Sequence, residues 1–178
     1  MNIINTNFKD LFLIEHKLFL DDRGSFGIIN ENEVLNKSVS YKVCFCQDNI
    51  VRSNFNVLRG LHFQMPPYSQ SKLITVIDGE ILDVAVDVRK ESGNYGKYFS
   101  YILNSESNLS IFLPKGFAHG YLVRSNYATI HYKVDQLYHK SSEVGIPFDD
   151  KSLNIDWGID KKIAILSEKD KNHKNFDW

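Results

Sequence analysis

The sequence predicts an all-β barrel, and three observations carry that reading. Short β-rich runs recur at 41–46, 72–77, 80–88, 98–103, 110–113, 120–123 and 129–134, the spacing of a sandwich or barrel. Asp78-Gly79 stands between two apolar runs, a strong signal for a two-residue hairpin turn. Ionisable residues also sit inside apolar strands, as Asp83 does in Ile81-Leu82-Asp83-Val84-Ala85-Val86. A carboxylate placed there is costly without a partner, so these positions point to a chemical pocket rather than to packing.

The length of 178 residues with 43% hydrophobic content suits one domain, 1–178, with a substantial core. The 21 basic and 22 acidic residues leave a formal charge of -1, which offers no general attraction to nucleic acid or an anionic membrane. The start, Met1-Asn2-Ile3-Ile4-Asn5-Thr6, has no basic segment leading into an apolar run, and no later stretch approaches the roughly 20 apolar residues of a membrane span. A cytoplasmic location is expected. Cys44 and Cys46, two apart in a predicted strand, read as core packing on one face rather than as a zinc or disulfide framework.

Taken in order, the hairpin at Asp78-Gly79 pairs Ile77 with Glu80, Ile74 with Asp83 and Lys72 with Ala85. Lys72 and Asp83 are then diagonal neighbours about 7–8 Å apart, within a lysine's reach, either as a structural ion pair or as part of a site. In Arg59-Gly60-Leu61-His62, strict alternation sends Arg59 and His62 to opposite faces. A bulge at Gly60 would turn both inward. In Thr129-Ile130-His131-Tyr132-Lys133-Val134, alternation puts Tyr132 on the apolar, inward face, where by itself it reads as a core aromatic. Ser167-Glu168-Lys169-Asp170 has the form of a capping box at a helix start, a role for Asp170 that can coexist with chemistry. Residues 172–178 read as a polar, frayed tail, His16, His139 and His173 as solvated, and Trp157 as packing.

Pro114-Lys115-Gly116-Phe117-Ala118-His119 resembles the second motif of the cupin superfamily, whose metal-binding members place a ligand at this histidine. The first motif departs from that pattern: His62-Phe63-Gln64 lacks the paired histidines, and no acidic residue follows before Asp78. Such a set makes a poor cage for zinc or iron, so no metal is expected.

Together with that motif, Arg59-Gly60-Leu61-His62-Phe63-Gln64, Gln70-Ser71-Lys72-Leu73, Asp83-Val84-Ala85-Val86-Asp87 and Ile165-Leu166-Ser167-Glu168-Lys169-Asp170 resemble the dTDP-4-dehydrorhamnose 3,5-epimerase family over residues 21–170. The resemblance implies a cupin-type jelly-roll β-barrel with short C-terminal helical segments, working as a homodimer without a cofactor on a dTDP-linked 4-keto-6-deoxy sugar. It makes His62 the base, Asp170 its orienting carboxylate, Lys72 the cation beside the C4 oxygen, Tyr132 the acid on the opposite face and Asp83 the partner that keeps Lys72 charged. Arg23, Gln47, Asn49, Arg59, His119, Tyr138, Glu143 and Lys169 match substrate-binding positions. Ile28 stands where the family usually has a glutamate. Epimerisation at C3 alone, a differently carried sugar, a non-catalytic sugar-nucleotide-binding barrel and a metal-dependent cupin enzyme remain the alternative readings.

Overall fold

The computed structural model describes residues 1–178. Its strands are β1 Asn2–Asn5, β2 Phe12–Glu15, β3 Lys17–Asp21, β4 Gly24–Ile28, β5 Gln47–Asn54, β6 Leu58–Gln64, β7 Lys72–Asp78, β8 Glu80–Asp87, β9 Tyr98–Asn104, β10 Leu109–Leu113, β11 Phe117–Val123, β12 Tyr127–Val134 and β13 Glu143–Gly145. Two short helices join them, α1 Asn32–Ser38 and α2 Glu168–Lys171. Six strands form one sheet in the order β1-β2-β10-β7-β12-β5, and five form a second in the order β13-β6-β11-β8-β9. The pairings within both sheets are antiparallel. The architecture is the double-sheet jelly roll that the sequence predicts.

The sheets face each other across an interior packed by Ile74, Val76, Ile81, Ala85, Ile111, Phe117 and Ile130, among others. Each outer face is covered as well. Leu35 of α1 and Val43 pack on Phe12, Ile14, Leu73 and Phe112 outside the six-stranded sheet. Ile146, Leu153, Ile155 and Trp157 pack on Leu82, Val84, Val86 and Leu122 outside the other. This double burial is why β7 and β8 read as nearly continuous apolar runs instead of alternating ones.

The predicted hairpin between β7 and β8 does not form. β7 pairs with β10 and β12, whereas β8 pairs with β9 and β11. A two-residue type I′ turn needs positive φ at both central residues, and only Gly79 (φ 85°) has it. The chain therefore crosses from one sheet to the other at Asp78-Gly79, and Lys72 and Asp83 are not cross-strand neighbours. Residues 42–46 are not a strand either; Val43 and Phe45 turn inward to pack, which leaves Cys44 and Cys46 exposed rather than in the core. The 172–178 segment is anchored, not frayed, because Phe176 meets Phe63 and Trp178 meets Tyr95 edge to face. Trp157 is packing, as expected, with its indole N–H donating to the Phe148 carbonyl at 2.7 Å.

β3 and β4 form a separate two-stranded arm. It holds Leu18, Phe19, Leu20 and Phe26 in solvent, Leu20 with 78% of its surface exposed.

Gly79 is needed at the crossing for two reasons: its φ is positive, and a Cβ there would lie 2.2 Å from the Tyr127 carbonyl oxygen. Gly79→Ala should lower stability by about 3 kcal/mol, read as a reduced urea midpoint at unchanged slope.

Candidate active site

β6 and β11 set the geometry of the site. Their register slips between His119 and Tyr121, so that His119 faces His62 while Tyr121 faces Arg59. The extra residue falls at Gly60-Leu61. Gly60 has φ 115°, and a Cβ on it would stand 2.5 Å from the Cα of Gly120. This is the bulge expected from the sequence, and through it Arg59 and His62 both line one cavity of about 510 Å³ with Lys72, His119, Tyr132 and Asp170. Strict alternation would otherwise send Arg59 to the face opposite His62.

His62 donates from Nε2 to Asp170 Oδ1 at 2.7 Å. A carboxylate only accepts, so in the neutral ring the proton sits on Nε2 and the lone pair is left on Nδ1. Burial disfavours charge on Asp170, yet the hydrogen bond and charge of His62, helped by Ser167, outweigh it and hold the carboxyl below its ordinary value. Ser167 caps α2 by accepting from the Asp170 amide at 3.1 Å. The cap of the predicted box therefore forms, while the Asp170 side chain turns to the histidine.

Lys72 approaches from the opposite sheet, its Nζ donating to the His62 carbonyl at 3.5 Å. Desolvation lowers its pKa to about 8, against the pull of Asp83 and then Glu143. Asp83, fully buried, is not hydrogen-bonded to Lys72 as the hairpin register suggested. Its Oδ2 accepts from His119 Nε2 at 2.8 Å, and its Oδ1 has no hydrogen-bond partner. The lysine feels the carboxylate through space across the interior.

Tyr132 faces inward on β12, beside Ile74 of β7 and Asn49 of β5. Burial raises its pKa, with the Arg59 charge pulling the other way, so the phenol keeps its proton at neutral pH. The His62–Asp170 dyad and the Tyr132 phenol thus project into the cavity from facing sheets.

Gln47, Asn49, Tyr138 and Glu143 gather around an adjoining cavity of about 180 Å³ shared with His62, Lys72 and Tyr132. Burial opposes the charge on Glu143, but hydrogen bonds from Lys169 and Tyr138 keep its pKa low. Two predicted residues line neither cavity: Asp83, which is buried against His119, and Arg23. Arg23 sits at the tip of the exposed arm, paired with Asp21 at 2.6 Å.

Several residues were missed by sequence reasoning. Tyr121 lines the cavity and bonds Ser53 at 3.1 Å, which also accepts from Arg59. Alternation from His119 would have found Tyr121, two residues on along the same strand. His173 is not solvated: its side chain is 8% exposed, and its ring stands edge-on to His62 with centroids 5.1 Å apart. His16 is likewise buried, bonded to Ser110 at 2.7 Å. His139 is half-buried and stacks on Tyr68. No local sequence signal marks these three contacts.

Residues 5–177 match a family model described as dTDP-4-dehydrorhamnose 3,5-epimerase. A curated protein of that name from Shigella flexneri is 43% identical over 176 residues, covering 99% of this chain and 96% of the relative. The crystal structure of the enzyme of that name from Elizabethkingia anophelis superposes with a TM-score of 0.95 at 40% identity, over 99% of this chain and 96% of that one. A dTDP-6-deoxy-D-glucose-3,5-epimerase from Legionella pneumophila, in complex with dTDP-4-keto-L-rhamnose, gives 0.92 at 40% identity, over 98% of this chain and 92% of that one.

Because the Asp83 charge raises the Lys72 pKa, Asp83→Asn should move the Lys72 midpoint lower than the value of about 8 in the unaltered chain. Nitrogen-15 NMR of the side-chain amine reads both.

Proposed function

The chain belongs to the dTDP-4-dehydrorhamnose 3,5-epimerase family, and from that premise we propose that it inverts C3 and C5 of a dTDP-linked 4-keto-6-deoxy sugar by removing a proton from one face and returning one from the other. The observation that carries this reading is the placement of a histidine–carboxylate dyad and a protonated phenol on facing sheets of one cavity, with Lys72 lining the same space.

The ketone at C4 acidifies the hydrogens on both neighbouring carbons. His62 Nδ1 takes one of them, and Asp170 stabilises the imidazolium that results. The pair left behind spreads onto the C4 oxygen as an enolate. Lys72 is the cation aimed at that oxygen, and in a largely apolar cavity its charge lowers the barrier more than it would in water. Tyr132 then protonates the carbon from the opposite face, which inverts it; His62 releases a proton to solvent and Tyr132 takes one back, and the same cycle at the other carbon completes the reaction. Base, cation and acid are all protein groups, so the chemistry calls for no cofactor. His119 and Asp83 hold the wall beside Lys72 and keep a negative charge near it.

Arg59 and Lys169 suit the diphosphate, and Gln47, Asn49, Tyr138 and Glu143 of the adjoining cavity suit the rest of the nucleotide. Arg23 reaches a nucleotide only if the arm leaves its own subunit. The four exposed apolar side chains on β3 and β4 favour that arrangement, a homodimer in which each arm lies against the second copy. Ile28, on the same arm, then alters what the partner's nucleotide meets where the family carries a glutamate.

Four outcomes test the proposal. His62→Ala should lower turnover by about 10²- to 10⁴-fold while dTDP binding survives in calorimetry. Tyr132→Phe should still exchange substrate hydrogens for solvent deuterium but without inversion, as read by proton NMR; inversion at the original rate would remove Tyr132 from the mechanism. The kcat/KM should fall as pH rises through about 8, where Lys72 in the free protein loses its proton and with it the charge that meets the enolate. Sedimentation should give a dimer.

A further inference from the structure

The buried ring of His173 has no role in the reaction above, and its surroundings are unusual. Neither of its nitrogens has a hydrogen-bond partner, although both are shut off from solvent. Leaving such groups unpaired is unfavourable. Nε2 points toward Asp170 Oδ1, 3.7 Å away, and that oxygen already accepts from His62 Nε2 at 2.7 Å. Burial first, and then the His62 charge, lower the His173 pKa, so the ring is held neutral. The ring is held there firmly. It lies over Gly145, where any Cβ would fall 2.1 Å from Nε2, and the segment that carries it is pinned by Phe176 and Trp178.

We propose that His62, Asp170 and His173 form an inhibitory site for a divalent transition cation of the zinc class, which switches off the base by binding it. The donor atoms of the three side chains lie within 4.8 Å of one another. A tetrahedral ion with bonds of about 2.0–2.1 Å spaces its ligands about 3.3 Å apart, and the two separations given above, 2.7 and 3.7 Å, lie on either side of that value. Two imidazoles and a carboxylate suit zinc, cobalt or nickel better than magnesium or calcium.

The inhibition follows from one proton. A neutral imidazole carries a single N–H, which Asp170 draws to Nε2, leaving Nδ1 free to accept. A cation at Nε2 takes the lone pair of that nitrogen, and the proton it displaces moves to Nδ1 and occupies the pair there, without any net gain or loss. His62 can then no longer take a proton from carbon. This consequence rests on His62 being the base, whereas the site itself rests only on geometry.

The test is titration of the purified full chain with zinc or cobalt chloride. Expected are one bound equivalent by calorimetry, visible absorption bands of tetrahedral cobalt, movement of the His62 and His173 ring nitrogen signals, and a loss of turnover that EDTA restores. His173→Gln should keep turnover without metal and bind the ion about 10- to 100-fold more weakly. Absence of a bound equivalent, ring signals that stay in place, or equal affinity in His173→Gln would overturn the site. Should that variant fail to fold, the ring signals of the unaltered chain still decide. Metal seated on both rings with turnover intact would uphold the site and overturn both the inhibition and His62 as base.

Discussion

The close approach of β6 and β11 at Gly60 and Gly120 is the constraint on which the interior depends. A side chain at either position would run into the other strand's backbone or its neighbours within 3 Å. Because both are glycine, the strands can press together and absorb one extra residue in β6. That residue reverses the alternation between Arg59 and His62, so that two cationic-capable side chains three apart share one face. His119 falls opposite His62 in the same register, and Asp170 arrives from the far end of the chain, 108 residues away, to accept the hydrogen bond of His62.

Once this geometry exists, the electrostatics follow from burial. The interior penalises every charge, and each ionisable group there survives with a partner or a shifted pKa. Asp170 stays ionised through His62, and Asp83 has His119. Lys72 has only a carbonyl oxygen within bonding distance and is pushed down to about 8. A lysine in that condition still carries its charge at neutral pH, but that charge has few competing contacts. In the proposed reaction it is thereby free to meet the enolate oxygen. Tyr132, pushed the other way by the same burial, keeps a proton to give.

Much of this was legible in the residues, for definite reasons. Six of the seven runs became strands because β-rich segments bounded by turns have few other ways to bury themselves. Tyr132 turned inward because period-two alternation leaves no choice once His131 and Lys133 face Asp48 outside. Gly60 proved to be a bulge because alternation alone could not bring its flanking residues together. The failures also have causes. Asp78-Gly79 joins strands from facing sheets, and a hairpin signal says nothing about which sheet the second strand enters. Cys44 and Cys46 are exposed because Val43 and Phe45 took the packing side of a segment that is not a strand.

The sequence by itself determined the strand content, the inward residues along single strands and, through ordered motifs, the family. These are local or linear properties, set by periodicity, turn chemistry and residue order. Only the tertiary structure decided that Asp83 would pair with His119 instead of Lys72, that His173 would be buried against the His62–Asp170 pair, and that Arg23 would stand outside the cavity of its own chain. Each of these contacts joins segments brought together by sheet stacking or by a docked tail, or else leaves a residue on an arm separate from the two sheets. No local pattern records such distances, because they arise from how two covered sheets and the segments over them fit in three dimensions.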